Sequence, residues 1–157
     1  MEYKITASEA FQKYSDMVYR LAFARLKNKY DADDVLQDVF MRFIKHKEKA
    51  ESEEHVKALL IRITINCSKS LLSSSWFKRT EPLSENLSVS DEVSDTLDAV
   101  LRLSQKYRTV IHLHYYMGYS VEEIAHILKS KPSTVKSQLH RARQKLKIEL
   151  EGESANV

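Results

Sequence analysis

The sequence predicts an all-α protein of two small helical domains. A three-helix bundle is followed by a four-helix domain with a helix-turn-helix, and a flexible acidic linker joins them. Three observations predict this. Only two Gly and two Pro interrupt 157 residues, so long helices meet few breakers. Apolar residues recur at helical spacing, and no run alternates as a half-buried strand would. Charge is segregated: the net charge is only +3, yet six carboxylates and no Lys or Arg lie between Thr80 and Leu101. Between Lys129 and Lys147 the pattern inverts, with seven cations and no acid.

The first helix is expected over Ser8–Asn28, with Phe11, Tyr14, Val18, Leu21, Ala22 and Arg25 near one face. The second runs from about Asp31 to Lys47 and carries Val35, Leu36, Val39, Phe40, Phe43 and Ile44. The third spans Glu53–Ser73 with Val56, Leu59, Leu60, Ile63, Cys67 and Leu71. Three amphipathic helices of this length can bury one common core. From Ser73 to Ser94 the periodicity fails, Ser, Glu and Asp dominate and Pro82 intervenes, which is the composition of a tether. The expected division is therefore 1–75, a linker over 76–94, and a second domain over 95–152. That domain opens with helices over Thr96–Leu103 and Tyr107–Tyr116, and Gly118 supplies a left-handed helix terminus.

Residues 120–147 are the most informative. Ser120 is a good N-cap, Glu122 and Glu123 suit the helix dipole, and Val121, Ile124, Ala125 and Leu128 recur at helical spacing. After Lys129-Ser130-Lys131, Pro132 sits where a first helical residue is expected. Val135, Leu139, Ala142 and Leu146 then form one stripe, which turns the remaining, basic surface outward. Ser133, Thr134, Lys136 and Ser137 are small or polar groups able to approach a groove, and the surrounding cations suit phosphates. A solvated cationic face is the bland alternative. Paired helices, a polar turn and one-signed charge together favour DNA.

Composition excludes several other functions. No membrane-length apolar run or signal peptide is present, and a lone Cys67 in an apolar-rich helix suits a buried thiol in a reducing cytoplasm, so a cytoplasmic location is expected. The histidines make no HExxH pattern, His112 and His114 are two apart, and no Gly-rich phosphate loop exists. No catalytic residue, metal or cofactor is therefore expected. A dimeric repressor and a recombinase are the rivals. The first needs a ligand pocket or dimer surface in residues 1–75, and the second needs a catalytic fold for which the length leaves no room.

Three segments carry a resemblance to the extracytoplasmic-function (ECF) sigma factors of bacterial RNA polymerase. Asp31–His46, DADDVLQDVFMRFIKH, resembles the polymerase-binding helix. His55–Arg79, HVKALLIRITINCSKSLLSSSWFKR, resembles the promoter-opening helix, and Tyr107–Leu146 closes with TVKSQLHRARQKL, close to the family form. The resemblance implies two helical domains on a tether, core RNA polymerase and promoter DNA as partners, and no catalysis. An anti-sigma factor as a further partner is implied by the family alone.

The resemblance also implies roles for particular residues. Asp34, Gln37, Asp38 and Phe40 would bind polymerase. Carboxylates in a first turn also simply suit the dipole, but Gln37 and Asp38 lie beyond it. Asn66 would read an extruded base, whose edge its amide can match as donor and acceptor, with Arg62 and Lys69 on phosphates. The loop Lys49–Glu54 would enclose that base, and Trp76, Phe77, Lys78 and Arg79 would extend the patch. Ser133, Thr134, Lys136, Ser137, His140 and Arg141 would face the upstream promoter element, with Arg143 and Lys145 on phosphate. The chain departs from the family pattern at Leu59, where a tryptophan is common, and at Ile65, where an arginine is common.

Overall fold

A computed structural model describes residues 3–72 and 95–155, which fall into two compact units. The expected linker over 76–94 and the Trp76–Arg79 patch lie outside the described residues. No strand occurs among the described residues, as the missing alternation implied.

The first unit contains α1 (Ala7–Leu26), α2 (Lys29–His46) and α3 (Glu53–Leu72), each packed on the other two. Thr6 starts α1, its Oγ1 accepting the Glu9 N–H at 3.1 Å. Lys27 ends it in the left-handed region at φ 58, where the backbone turns sharply. Asn28 then caps α2 rather than ending α1, and its Oδ1 accepts the N–H groups of Tyr30 at 2.9 Å and Asp31 at 3.1 Å. A 3-10 turn over Lys47–Lys49 leads through Ala50 into α3.

Val18, Val39, Phe43, Val56 and Leu60 are fully buried at the centre of this bundle. Two expected core residues fall outside it: Phe11 is 45% and Ile44 49% exposed. Both lie at the edge of their helix's apolar stripe, where Phe11 meets α2 with one edge of its ring only. Arg25 is buried instead, with Nε donating to Ser68 Oγ at 2.5 Å, so a polar pair ties α1 to α3.

The second unit contains α4 (Asp95–Leu101), α5 (Gln105–Ile111), α6 (Val121–Leu128) and α7 (Pro132–Ala155). The helix expected over Tyr107–Tyr116 is split, because His112–Tyr116 widens into a π turn in which the Met117 N–H reaches the His112 carbonyl at 3.0 Å. Gly118 follows at φ 79, the left-handed conformation assigned to it. Ser120 and Glu123 form a complete capping box, each side chain bonding the other's N–H at 3.1 Å. Lys129 ends α6 in the left-handed region at φ 54, unsignalled by any glycine, and Pro132 begins α7. Ser120→Ala is expected to lower the stability of this unit by about 1 kcal/mol, read as a reduced urea midpoint of the full chain.

α7 is the spine of the unit. Val135, Leu139 and Ala142 are at most 1% exposed and pack with Ile124, Ala125 and Ile127 of α6 and with α5. Ile127 joins this core in preference to the half-buried Leu128.

Candidate functional site

Three surfaces collect the candidate residues. The first is the outer face of α2. Because α2 begins at Lys29, only Asp31 lies in its first turn, so dipole complementarity explains neither Asp33 nor Asp34. Burial first, and the neighbouring Asp34 charge second, push the Asp31 carboxyl above its ordinary range. Asp34 and Gln37 are exposed, whereas Asp38 is gripped by Arg42, with Nη2 at 3.2 Å and Nε at 3.3 Å. From the core side Cys67 meets the same carboxylate. Burial first, and that contact second, push its thiol up to about 11.

Phe40 requires a correction. It is 6% exposed and packs edge-on against Phe11, with centroids 5.1 Å apart, and against Phe43 at 6.3 Å. Its ring supports the face from beneath and presents little surface of its own. The apolar group that faces outward is Met41, 68% exposed and spaced i+7, i+4 and i+3 from Asp34, Gln37 and Asp38. Met41 is not among the residues that the sequence pattern singles out. Helical register was the available signal, since a core stripe through Val35, Val39 and Phe43 places Met41 on the opposite side.

The second surface is on α3. Arg62, Asn66 and Lys69 stand at i, i+4 and i+7 on one stripe, and Asn66 and Lys69 are exposed. Arg62 is half-buried, and its Nε has no hydrogen-bond partner among the described residues. Ile65 is 3% exposed, so the position where the family commonly has arginine serves the core here.

The third surface is α7. Ser133, Thr134, Lys136, Ser137, His140 and Arg141 are all exposed over its first half, opposite the buried Val135–Leu139–Ala142 stripe. Arg143 and Lys145 are placed differently. Arg143 donates from Nε to the Tyr115 hydroxyl at 2.5 Å and lies 5.6 Å from that ring's centre, and Lys145 lies 4.9 Å from the centre of the Tyr107 ring. The later cations of α7 are therefore tied to their own unit. Arg143 also borders a groove of about 700 Å³ lined by Val100, Ile111, Leu146 and Leu150. Among the described residues no cluster of side chains could hold a metal, and no helix is long and apolar enough to cross a membrane.

Comparison with known proteins follows the same division. Residues 10–78 match the family model for sigma-70 region 2, and residues 95–146 match that for sigma-70 region 4. The ECF RNA polymerase sigma factor SigW of Bacillus subtilis is 30% identical over 158 aligned positions, covering 87% of this chain and 84% of SigW. The chain belongs to the ECF sigma factors. It is thus a sigma factor, which directs core RNA polymerase to promoters and initiates transcription. RNA polymerase sigma factor SigV of the same organism is 29% identical, covering 84% of this chain and 83% of SigV. Two solved structures share the fold. One is CnrH in complex with the cytosolic domain of CnrY, with TM-score 0.66 and 26% identity over 93% of this sigma factor and 88% of that chain. The other is the sigma factor RpoE in complex with the anti-sigma factor NepR from Bartonella quintana, with TM-score 0.72 and 24% identity over 92% and 96%.

Proposed function

We propose that this sigma factor divides its work among the three surfaces, within domains of 1–75 and 95–152 joined by a linker over 76–94. Asp34, Gln37 and Asp38, with Met41 between them, dock on a basic helical element of core polymerase. Charge there sets orientation and association rate, and the exposed thioether adds apolar contact. The loop Lys49–Glu54 and the Arg62–Asn66–Lys69 stripe hold the separated promoter strand, with Asn66 against an extruded base. Ser133, Thr134, Lys136, Ser137, His140 and Arg141 enter the major groove of the upstream element. Arg143, held by Tyr115, fixes the angle of α7 and reaches phosphate only from that tethered position.

The chain catalyses nothing itself, needs no metal or cofactor, and works in the cytoplasm. An inhibitory anti-sigma partner belongs to this reading; CnrH, 26% identical to this chain, is likewise solved in complex with a second protein, the cytosolic domain of CnrY.

The observation that supports the promoter reading best is the immobile backing of α7. A recognition helix must hold its side chains in register, and this one is secured by Val135, Leu139 and Ala142, each at most 1% exposed. Run-off transcription from a randomised promoter pool, with core enzyme and this protein, is the test. Arg141→Ala is expected to relax selection at one upstream position at a cost of about 1–3 kcal/mol. Arg143→Ala, at the cation placed on phosphate, is expected to weaken all promoters alike and to lower the salt slope by about one. Uniform weakening by Arg141→Ala would show that it touches phosphate only.

A further inference from the structure

The segment Lys49–Ser52 is short, largely charged and exposed, and Ala50 (4% exposed) is its only buried side chain. A loop with so few apolar contacts is soft unless hydrogen bonds define it. Two sets do. Ser52 caps α3, its Oγ accepting the His55 N–H at 3.1 Å. In an ordinary capping box the residue three positions on is Glu or Gln, reaching back to the N-cap N–H. Here that residue is His55, and its Nδ1 accepts the Glu51 N–H, one position earlier, at 3.2 Å. The imidazole therefore carries its proton on Nε2, and the bond spans the loop rather than the helix end alone.

The second set comes from α1. Glu53, the first residue of α3, receives the Tyr14 hydroxyl on Oε1 at 2.9 Å and the Lys13 ammonium on the same oxygen. Tyr14 is 4% exposed, so its hydroxyl is a fixed post. Lys13 and then Tyr14 hold the Glu53 carboxyl below its ordinary range, and burial with the Glu53 charge keeps the Tyr14 phenol protonated. An exposed ion pair contributes little stability by itself. Its effect here is local: it offsets one of the carboxylates that would otherwise repel DNA phosphates. The extended segment Tyr3–Thr6 borders the loop across a groove.

We propose that the Tyr14–Glu53–Lys13 clamp and the Ser52–His55–Glu51 latch are the positioning elements that give the Lys49–Ser52 loop its selectivity for an extruded base. This rests on the reading that the loop encloses such a base. Neither anchor has to touch DNA. Each reduces the conformational freedom the loop would lose on binding, so a correct base gains more than a poor fit.

The test uses holoenzyme and single-stranded oligonucleotides of the promoter strand held by the first unit, carrying each base, or an abasic site, at the extruded position. Wild type is expected to prefer one base. His55→Ala and Tyr14→Phe are each expected to cut the preferred-base to abasic affinity ratio about tenfold, the loss of one well-made hydrogen bond. His55→Gln, which keeps an acceptor at the capping-box position, is expected to restore the ratio. Thiol protection of Cys67 in each variant verifies that the bundle remains folded. Wild-type discrimination in His55→Ala and Tyr14→Phe, or failure of His55→Gln to rescue, overturns the inference while leaving the loop reading intact. Absence of any base preference in wild type, with Asn66→Ala indistinguishable from it, overturns both.

Discussion

Phe43→Ala is expected to bring the first unit close to unfolding. Phe43 is fully buried, sits where α2 faces both other helices and meets Phe40 edge-on at 6.3 Å. Truncating such a ring removes transfer free energy and leaves a void, at a combined cost of about 3–5 kcal/mol. A helical unit of this size has on the order of 0.05–0.15 kcal/mol of stability per residue, so the loss consumes much of the total. The only cysteine reports it. Cys67 is 5% exposed and its thiol is pushed up to about 11, so modification by a disulfide reagent must await opening, which restores both access and an ordinary thiol. The rate of Cys67 modification in the full chain is expected to rise on the order of a hundredfold to a thousandfold. An unchanged rate would mean that Cys67 opens locally, apart from the Phe43 core.

Asp38→Arg is expected to separate binding from folding. Its carboxylate is partly exposed and held by Arg42, one helical turn on. Reversal sets two cations at i, i+4, which costs a helix only a few tenths of a kcal/mol, so α2 persists. A polymerase surface of opposite charge would meet repulsion in place of attraction, and losses of about 2–5 kcal/mol are typical of such contacts. Competition for core enzyme should therefore show association weakened by roughly thirtyfold or more, with the urea midpoint of the bundle little changed. Asp38→Asn, which keeps an oxygen acceptor for Arg42, should fall between. Unchanged core affinity in the arginine variant would move the docking face elsewhere on the bundle.

Local chemistry explains why parts of both units were legible before any coordinates. Ser120, Pro132 and Gly118 announce helix ends through one side chain's hydrogen bond, one ring's fixed φ and one missing Cβ, and all three stand where the structure needs them. Lys27 and Lys129 carry no such signature. Each adopts a left-handed conformation that a lysine does not favour, because packing of the flanking helices imposes the turn. The π turn at His112–Tyr116 is likewise silent in a pattern that reads as one helix.

The candidate surfaces divide in the same way. The exposed half of α7 followed directly from the stripe through Val135, Leu139 and Ala142 and the cations around it. On α2 the stripe located a core face, yet it could not assign the rows at its edges. Phe40 is buried because Phe11 and Phe43 cover it, Ile44 is left half outside, and Met41 emerges among the acids.

By itself, then, the order of residues determined the helical class, the two units, the helix ends at Gly118, Ser120 and Pro132 and the sign of charge on each face, since these depend on neighbours within a turn or two of the chain. Tertiary structure decided which edge residues are covered, which cations are tied down by Tyr107 and Tyr115, and that Tyr14 holds Glu53 beside the Lys49–Ser52 loop. Those outcomes depend on side chains up to 39 positions apart, as for Tyr14 and Glu53, and no local pattern encodes a meeting at that range.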